Sequence, residues 1–197
     1  MKKHLIAILA LFLLCLFVAA GCRTASPVAS KPDKPLVSGT VHTKYNIHIQ
    51  YKGNTATASY ANWVGPFPGH DVIEPGTKVV ASKWGNGFRL DCVDKGLTVL
   101  FEYDTSRMNM SASEYLKKIT SEEPVSYNHL SSVDQKGIKN GEIYRGMSKK
   151  GVMAALGYPA AHRTPSPDSD TWTYWTNRFN TIAVHFNDSG KVREVID

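Results

Sequence analysis

Residues 145–159, with the sequence RGMSKKGVMAALGYP, carry the signals of a short helix together with both of its ends. Ser148 is a good N-cap, because its hydroxyl can accept hydrogen bonds from the free amides of the first turn. Gly157 suits the left-handed residue that often closes a helix. Val152 and Leu156 lie four residues apart and therefore share an apolar face. The stretch thus predicts a helix that packs on another layer of structure.

Three strand signals follow this helix, and a second helix or helical turn is predicted before it, around Ile138. The strand signals cover 171–176, 181–186 and 191–196, with a hairpin turn at 187–190. Two helices packed on a three-stranded antiparallel sheet make a two-layer α+β sandwich. Trp172 and Tyr174 share one face of the first strand, so we expect them to cover the helix.

Five short strand signals occupy the first part of the chain. They cover 45–51, 55–60, 77–84, 88–93 and 97–103, separated by turn sequences such as Glu74-Pro75-Gly76 and Gly85-Asn86-Gly87. A small barrel would remove the exposed edges that separate hairpins leave. We therefore predict a five-stranded barrel domain over 41–105. Its segment 73–90, IEPGTKVVASKWGNGFRL, resembles a bacterial Src-homology-3-like barrel.

The remaining segments are predicted to be a tether and a connector. Residues 22–40 are rich in Ser, Pro, Ala and Lys and have little to bury, which is typical of a flexible tether. Residues 106–132 are predicted to be a connector with one helix, which begins at the capping box formed by Ser111 and Glu114. The α+β domain then covers 133–197.

The first residues predict export. Lys2 and Lys3 precede an apolar run over 5–20, and sixteen residues fall short of the roughly 20 that a membrane-spanning helix needs. Small residues come directly before Cys22, as in a bacterial lipoprotein signal. We predict that residues 1–21 are removed and that Cys22 carries lipid, palmitate included. An ordinary secretory leader cleaved near the same place is the alternative.

Charge and cysteine content limit the classes of partner. Loss of the leader would lower the formal net charge from +6 to +4 and leave Cys92, predicted to lie in the barrel core, as the remaining thiol. An exported protein of modest positive charge does not meet nucleic acid. Its anionic partners would be phospholipid headgroups, the cell-wall polymer peptidoglycan or an acidic protein face. Arg23 beside the lipidated cysteine favours the outer membrane, facing the periplasm.

The end of the chain, over 137–197, resembles the SmpA/OmlA family of BamE-like outer-membrane lipoproteins. The matching residues are Ile143, Gly146, Met147, Ser148, Val152, Leu156, Gly157, Pro159, Trp172, Thr173, Tyr174, Val184, His185, Phe186, Gly190, Lys191 and Val192. The resemblance implies a lipoprotein that works with outer-membrane assembly proteins or other envelope proteins. The fold motif Gly146, Met147, Val152, Leu156, Gly157, Pro159, Trp172 and Tyr174 is predicted to be structural and not to bind a partner.

The chain departs from this family in two ways. Gly151 stands where the family's helix often has Glu or Gln, which would complete a capping box. The predicted barrel domain is also additional. Lys149 and Lys150 place positive charge at a helix N-terminus, which is unfavourable unless an anion is near, so both are candidate binding residues. A solvated helix face is the alternative.

Two predicted loops carry aromatic residues. The hairpin loop that contains Trp175, Arg178 and Phe179 combines the residue types found at interface anchors, and these three are candidate binding residues. The alternative is that the aromatic rings fold back over the sheet edge. A comparable loop in the first domain carries Trp63, Pro66, Phe67 and Pro68.

The sequence contains no recognisable catalytic set. It lacks a nucleophile elbow, a phosphate-binding glycine loop and a zinc-protease helix motif, and we predict no enzyme activity, no cofactor and no metal. The histidines beyond the leader (His42, His48, His70, His129, His162 and His185) do not have zinc-ligand spacing. The leading hypothesis is a non-enzymatic envelope lipoprotein that acts as a scaffold or accessory factor. A cell-wall or small-ligand binding module and an inhibitor of an envelope enzyme are the alternatives.

Overall fold

The computed structural model describes residues 35–52 and 55–197, so the predicted leader, Cys22 and the tether up to residue 34 lie outside the described residues. The strands are β1 (Pro35–Thr43), β2 (Ile47–Lys52), β3 (Thr55–Ser59), β4 (His70–Ile73), β5 (Lys78–Trp84), β6 (Gly87–Cys92), β7 (Leu97–Glu102), β8 (Thr120–Ser121), β9 (Thr171–Trp175), β10 (Thr181–Phe186) and β11 (Val192–Ile196). The helices are α1 (Thr105–Met108), α2 (Ala112–Ile119), α3 (Ser132–Asn140) and α4 (Lys149–Leu156).

The first eight strands form one sheet in the order β4-β2-β3-β7-β6-β5-β1-β8. All five predicted strands are present in it. The predicted five-stranded barrel is not confirmed, because β1, β4 and β8 add three strands to the sheet. β4 has four residues and β8 only two, and each forms by pairing with a longer neighbour. β1 begins at Pro35, inside the predicted tether, and pairs with β5. Pairing with a distant strand leaves little local sequence signal.

The pairing of β3 with β7 is parallel, whereas hairpin signals predict antiparallel neighbours. Ala56 and Ala58 on β3 are fully buried opposite Val99 and Phe101 of β7. Phe101 also stacks on Phe88 with ring centroids 4.4 Å apart. These residues and helix α2 build the first hydrophobic core, in which Cys92 is also buried.

The last three strands form a separate antiparallel sheet in the order β11-β10-β9. Its inner face carries Trp172, Tyr174 and Val184, which share a second hydrophobic core with Val152 and Leu156 of α4. The predicted α+β class and the three-stranded antiparallel sheet with its helices are therefore confirmed.

The two cores meet at the carboxyl end of α4, and residues 35–197 belong to one compact unit. Asn46 and His48 from the first sheet donate to carbonyl oxygens in the last turn of α4, and Asn62 donates to those of Leu156 and Tyr158. A helix end leaves its last carbonyl groups without partners inside the helix. The first sheet therefore completes the hydrogen bonding of a helix that belongs to the second core.

Both faces of β2 are buried at this junction. Ile47 and Ile49 point into the first core, as their alternation predicts, but His48 between them is also only 3% exposed. The alternation in the sequence predicts that only one face of β2 is buried. Nothing in the sequence indicates that α4 covers the other face of this strand.

Candidate functional site

The two aromatic loops that stand out in the sequence lie side by side in the structure. The backbone amides of Val64 and Gly65 donate to the carbonyl oxygens of Trp175 and Thr176 at 2.8 and 3.0 Å. These bonds extend the end of β9 onto the loop that follows β3. A side chain at position 65 would overlap the Thr176 carbonyl, so glycine permits this close approach.

The loop after β3 has an unusual backbone at the point where it crosses to the second sheet. Asn62 and Trp63 are both left-handed, with φ of 71° and 50°. Positive φ is uncommon outside glycine and is a genuine outlier for a bulky residue such as tryptophan. Asn62 is held by its bonds to α4, and this arrangement directs the chain so that Trp63 meets the opposite hairpin. Strain of this kind occurs preferentially at functional sites.

Arg178 joins the two loops electrostatically. Its guanidinium lies 5.2 Å from the centre of the Trp63 ring, and its Nη2 is 3.2 Å from Glu102 Oε1 at the end of β7. Both side chains of this ion pair are partly exposed, so the pair adds little stability. The contacts nevertheless orient a planar cation and an indole ring beside each other at the surface.

A surface groove of about 440 Å³ runs between the two loops. We call it the aromatic groove, and its lining consists of Gln50, Thr57, Trp63, Phe67, Thr176, Asn177 and Arg178. Phe67 at its edge is 46% exposed, and Phe179 at the hairpin tip next to it is 90% exposed. Isolated exposed apolar residues are common, but an exposed phenylalanine in the groove lining and a second one that follows the lining residue Arg178 in the chain need a reason.

The neighbouring surface around Trp175 is also aromatic and cationic. The Trp175 ring lies 5.0 Å from the His162 ring and 6.0 Å from the Arg163 guanidinium. Arg107 donates to the Tyr60 hydroxyl at 3.0 Å. Partial burial, together with Arg107 and Arg163, lowers the pKa of His162 below its ordinary value. Trp175 thus packs on His162 and against the first hydrophobic core, whereas Phe179 is exposed.

Lys149 and Lys150, the other predicted binding residues, have protein partners. Lys149 Nζ donates to the Asp168 carbonyl at 2.8 Å and lies 3.7 Å from the Asp170 carboxylate. Lys150 Nζ is 3.1 Å from His129 Nε2. Neither lysine lines the aromatic groove.

A buried carboxylate explains how α4 begins with two lysines. Asp134 of α3, only 1% exposed, accepts from the Ser148 backbone amide at 2.7 Å, while the Ser148 hydroxyl accepts from the Gly151 amide at 3.0 Å. Asp134 thus fills the role of the glutamate that a capping box places at position 151. A side chain at Gly151 would overlap the Asp134 carboxylate.

The residues of the fold motif are internal. Met147, Val152, Leu156, Trp172 and Tyr174 are at most 1% exposed. Gly146 and Met147 form backbone hydrogen bonds with Val192, which joins the start of the motif to strand β11. Gly157 has φ of 84° after α4, and its carbonyl accepts from the Tyr174 hydroxyl at 3.1 Å. Pro159 follows and is also buried.

The polar pair formed by His48 and His70 leaves no signal in the sequence. His48 Nδ1 lies 2.9 Å from His70 Nε2, and His48 Nε2 lies 2.9 Å from the Ala155 carbonyl oxygen. His48 therefore donates to Ala155 and accepts from His70. The two histidines are 22 positions apart, so only the pairing of β2 with β4 reveals them.

Three further observations concern metal binding, the Cys92 thiol and membrane spanning in the described part of the chain. No three His, Cys, Asp or Glu side chains within it lie close enough together to hold a metal ion. Burial raises the pKa of Cys92 to about 11, so its thiol is protonated and unreactive at neutral pH. Within residues 35–52 and 55–197, no helix has the length and apolarity needed to cross a bilayer. Cys22, the predicted lipidation site, lies outside these ranges.

Comparison of the chain with protein-family models, with curated proteins and with solved structures finds no match. The resemblance to the SmpA/OmlA family therefore rests on the residues named in the sequence and stays a prediction.

Proposed function

We propose that this protein is a non-enzymatic bacterial envelope lipoprotein that binds a protein partner through the aromatic groove and the Phe179 tip. The observation that carries the proposal is the meeting of two aromatic loops from different parts of the chain. Phe67, Phe179 and Arg178 on these loops are all exposed, so a partner could contact them. Aromatic residues and arginine are the types that dominate binding energy at protein interfaces.

The shape of the surface favours a protein partner. The groove is open, and the most exposed ring, Phe179, projects from a hairpin tip outside it. A projecting ring gains most when it enters a pocket on another protein, because burying an aromatic side chain removes a large apolar area from water. Arg178, the residue before Phe179, would fix the orientation of the partner by pairing with one of its carboxylates.

The proposed cellular location rests on the sequence. The predicted lipid on Cys22 and a short tether would hold the folded residues near the outer membrane, facing the periplasm. The resemblance of 137–197 to the SmpA/OmlA family supports an accessory or scaffold role in outer-membrane protein assembly or envelope maintenance. The additional eight-stranded sheet supplies Trp63 and Phe67, which are half of the proposed binding surface.

The test is co-purification from envelope extracts with variants of the surface. We expect Phe179→Ala combined with Arg178→Ala to reduce recovery of the partner by at least tenfold, since the loss of two interface anchors costs several kcal/mol. Trp84→Ala is the matched control, because Trp84 is a partly exposed aromatic residue at another hairpin and does not line the groove. Equal recovery with both variants would contradict the proposal.

A cell-wall binding module is the second candidate, because the groove also carries Gln50, Thr57 and Asn177 beside the Trp63 ring. Amides and hydroxyls beside an aromatic ring also suit a glycan. Sedimentation with purified peptidoglycan separates the two functions. Pelleting of the unaltered protein that is lost in Asn177→Ala, while Phe179→Ala still pellets, would favour the glycan.

A further inference from the structure

The carboxyl end of α4 fixes the orientation of two buried asparagines. Asn46 Nδ2 donates to the carbonyl oxygens of Ile138 at 2.7 Å and Ala155 at 3.0 Å. Asn62 Nδ2 donates to the carbonyl oxygens of Leu156 at 2.9 Å and Tyr158 at 3.2 Å. All four partners are acceptors, so neither amide can be turned round without placing oxygen against oxygen.

This orientation leaves two amide oxygens without partners. Asn46 Oδ1 and Asn62 Oδ1 are inaccessible to solvent and receive no hydrogen bond from the described residues. The two residues are only 2% and 6% exposed. Buried acceptors of this kind are rare in folded proteins, because most find a donor in the protein or in an ordered water molecule.

Both asparagines line the same small cavity. Its volume is about 10 Å³, which is close to the space that one water molecule needs. The other groups around it are mainly apolar or aromatic, including Ile47, Phe101 and Tyr115. The cavity lies beside the first hydrophobic core, and Gly157, directly after α4, also lines it.

We infer that this cavity binds one water molecule, which donates its two hydrogens to Asn46 Oδ1 and Asn62 Oδ1. The number of donors in water matches the number of unpartnered acceptors. A hard cation such as calcium takes six or more oxygen ligands, which a largely apolar lining does not supply. The water completes the polar junction through which β2 and the loop after β3 hold the end of α4.

A crystal structure of the protein at a resolution that shows ordered water tests the assignment. We expect one electron-density peak in the cavity at hydrogen-bond distance, about 2.6–3.2 Å, from both oxygens. A second crystal soaked in rubidium chloride should show no anomalous signal there. An empty cavity, or a peak that acquires the rubidium signal, would overturn the inference.

Water-to-protein magnetisation transfer in solution gives an independent readout on the Asn46 side-chain amide protons. We expect a long-lived water contact in the unaltered protein and its loss in Asn62→Gly, where glycine keeps the φ of 71° but removes the second acceptor. Asn109→Gly is the matched control, since Asn109 is also left-handed but closes α1 and does not line the cavity. Equal signals in the two variants would contradict the assignment.

Discussion

At the scale of single residues, the start of α4 shows how a distant side chain can replace a local one. Ser148 caps the helix in the ordinary way, but the partner for its own backbone amide comes from Asp134 on α3. Gly151 leaves the space that this carboxylate occupies. The negative charge beside the first turn also offsets the two lysines that begin the helix.

A double-mutant cycle tests this substitution of roles. Asp134→Ala removes the cap and Gly151→Glu collides with the carboxylate, so each single change should lower the free energy of unfolding by about 1–3 kcal/mol. In the double variant, Glu at 151 can form the capping box in the space that Asp134 leaves. We expect the double variant to lose less free energy of unfolding, measured by urea denaturation, than the sum of the losses in the two single variants. Simple additivity would mean that the two positions do not share one role.

At the scale of elements, His48 of β2 bonds both to Ala155 of α4 and to His70 of β4. Burial lowers the pKa of His48 from its ordinary 6.5 to about 4, and burial also lowers the pKa of His70. The Ala155 carbonyl opposes this shift for His48 by accepting a hydrogen bond. The geometry in which His48 accepts from His70 requires a neutral His48.

A pH titration of stability tests this junction. Because the folded pKa of His48 is below its unfolded value, the unfolded chain binds more protons between pH 6.5 and 4, and stability falls as the pH is lowered through this range. The loss from His48 should approach about 3 kcal/mol near pH 4, at 1.36 kcal/mol for each unit of pKa difference. His48→Gln should flatten the profile, whereas the exposed His129→Gln should not. An unchanged slope in His48→Gln would show that other groups cause the acid sensitivity.

At the scale of the whole molecule, the polar junction makes two hydrophobic cores behave as one unit. Asn46, His48 and Asn62 cross from the first sheet to the last turn of α4, and the loop after Trp63 bonds to the end of β9. Separation of the cores would expose these buried polar groups at once. Such an arrangement favours a single cooperative transition.

Equilibrium unfolding in urea checks this cooperativity. The Cys92 thiol in the first core should become reactive at the same urea concentration at which Trp172 in the second core becomes exposed. Asn62→Gly removes two of the bonds at the junction and should lower the midpoint, while Asn109→Gly should shift it much less. A thiol that reacts while Trp172 is still buried would show that the cores unfold separately.

Local chemistry alone was enough to predict several elements. Ser111 and Glu114 form a capping box between neighbouring residues, so the start of α2 can be read from the chain. Ser148 and Gly157 bound α4 by the same kind of short-range bond. The alternation in 181–186 likewise predicts β10.

The tertiary structure alone decided everything that depends on residues far apart in the sequence. The strands β4 and β8 form only because a longer strand lies beside them. The first part of β1 lies in the predicted tether, because its pairing with the distant β5 leaves no local signal. The burial of His48 depends on α4 covering a second face of β2. The candidate site itself needed the loop of Trp63 to reach the hairpin of Arg178. Caps and alternation act between neighbouring residues, so the chain itself indicates where the other helices and strands begin. Which surfaces meet depends on the packing of the whole chain, and only the folded structure shows it.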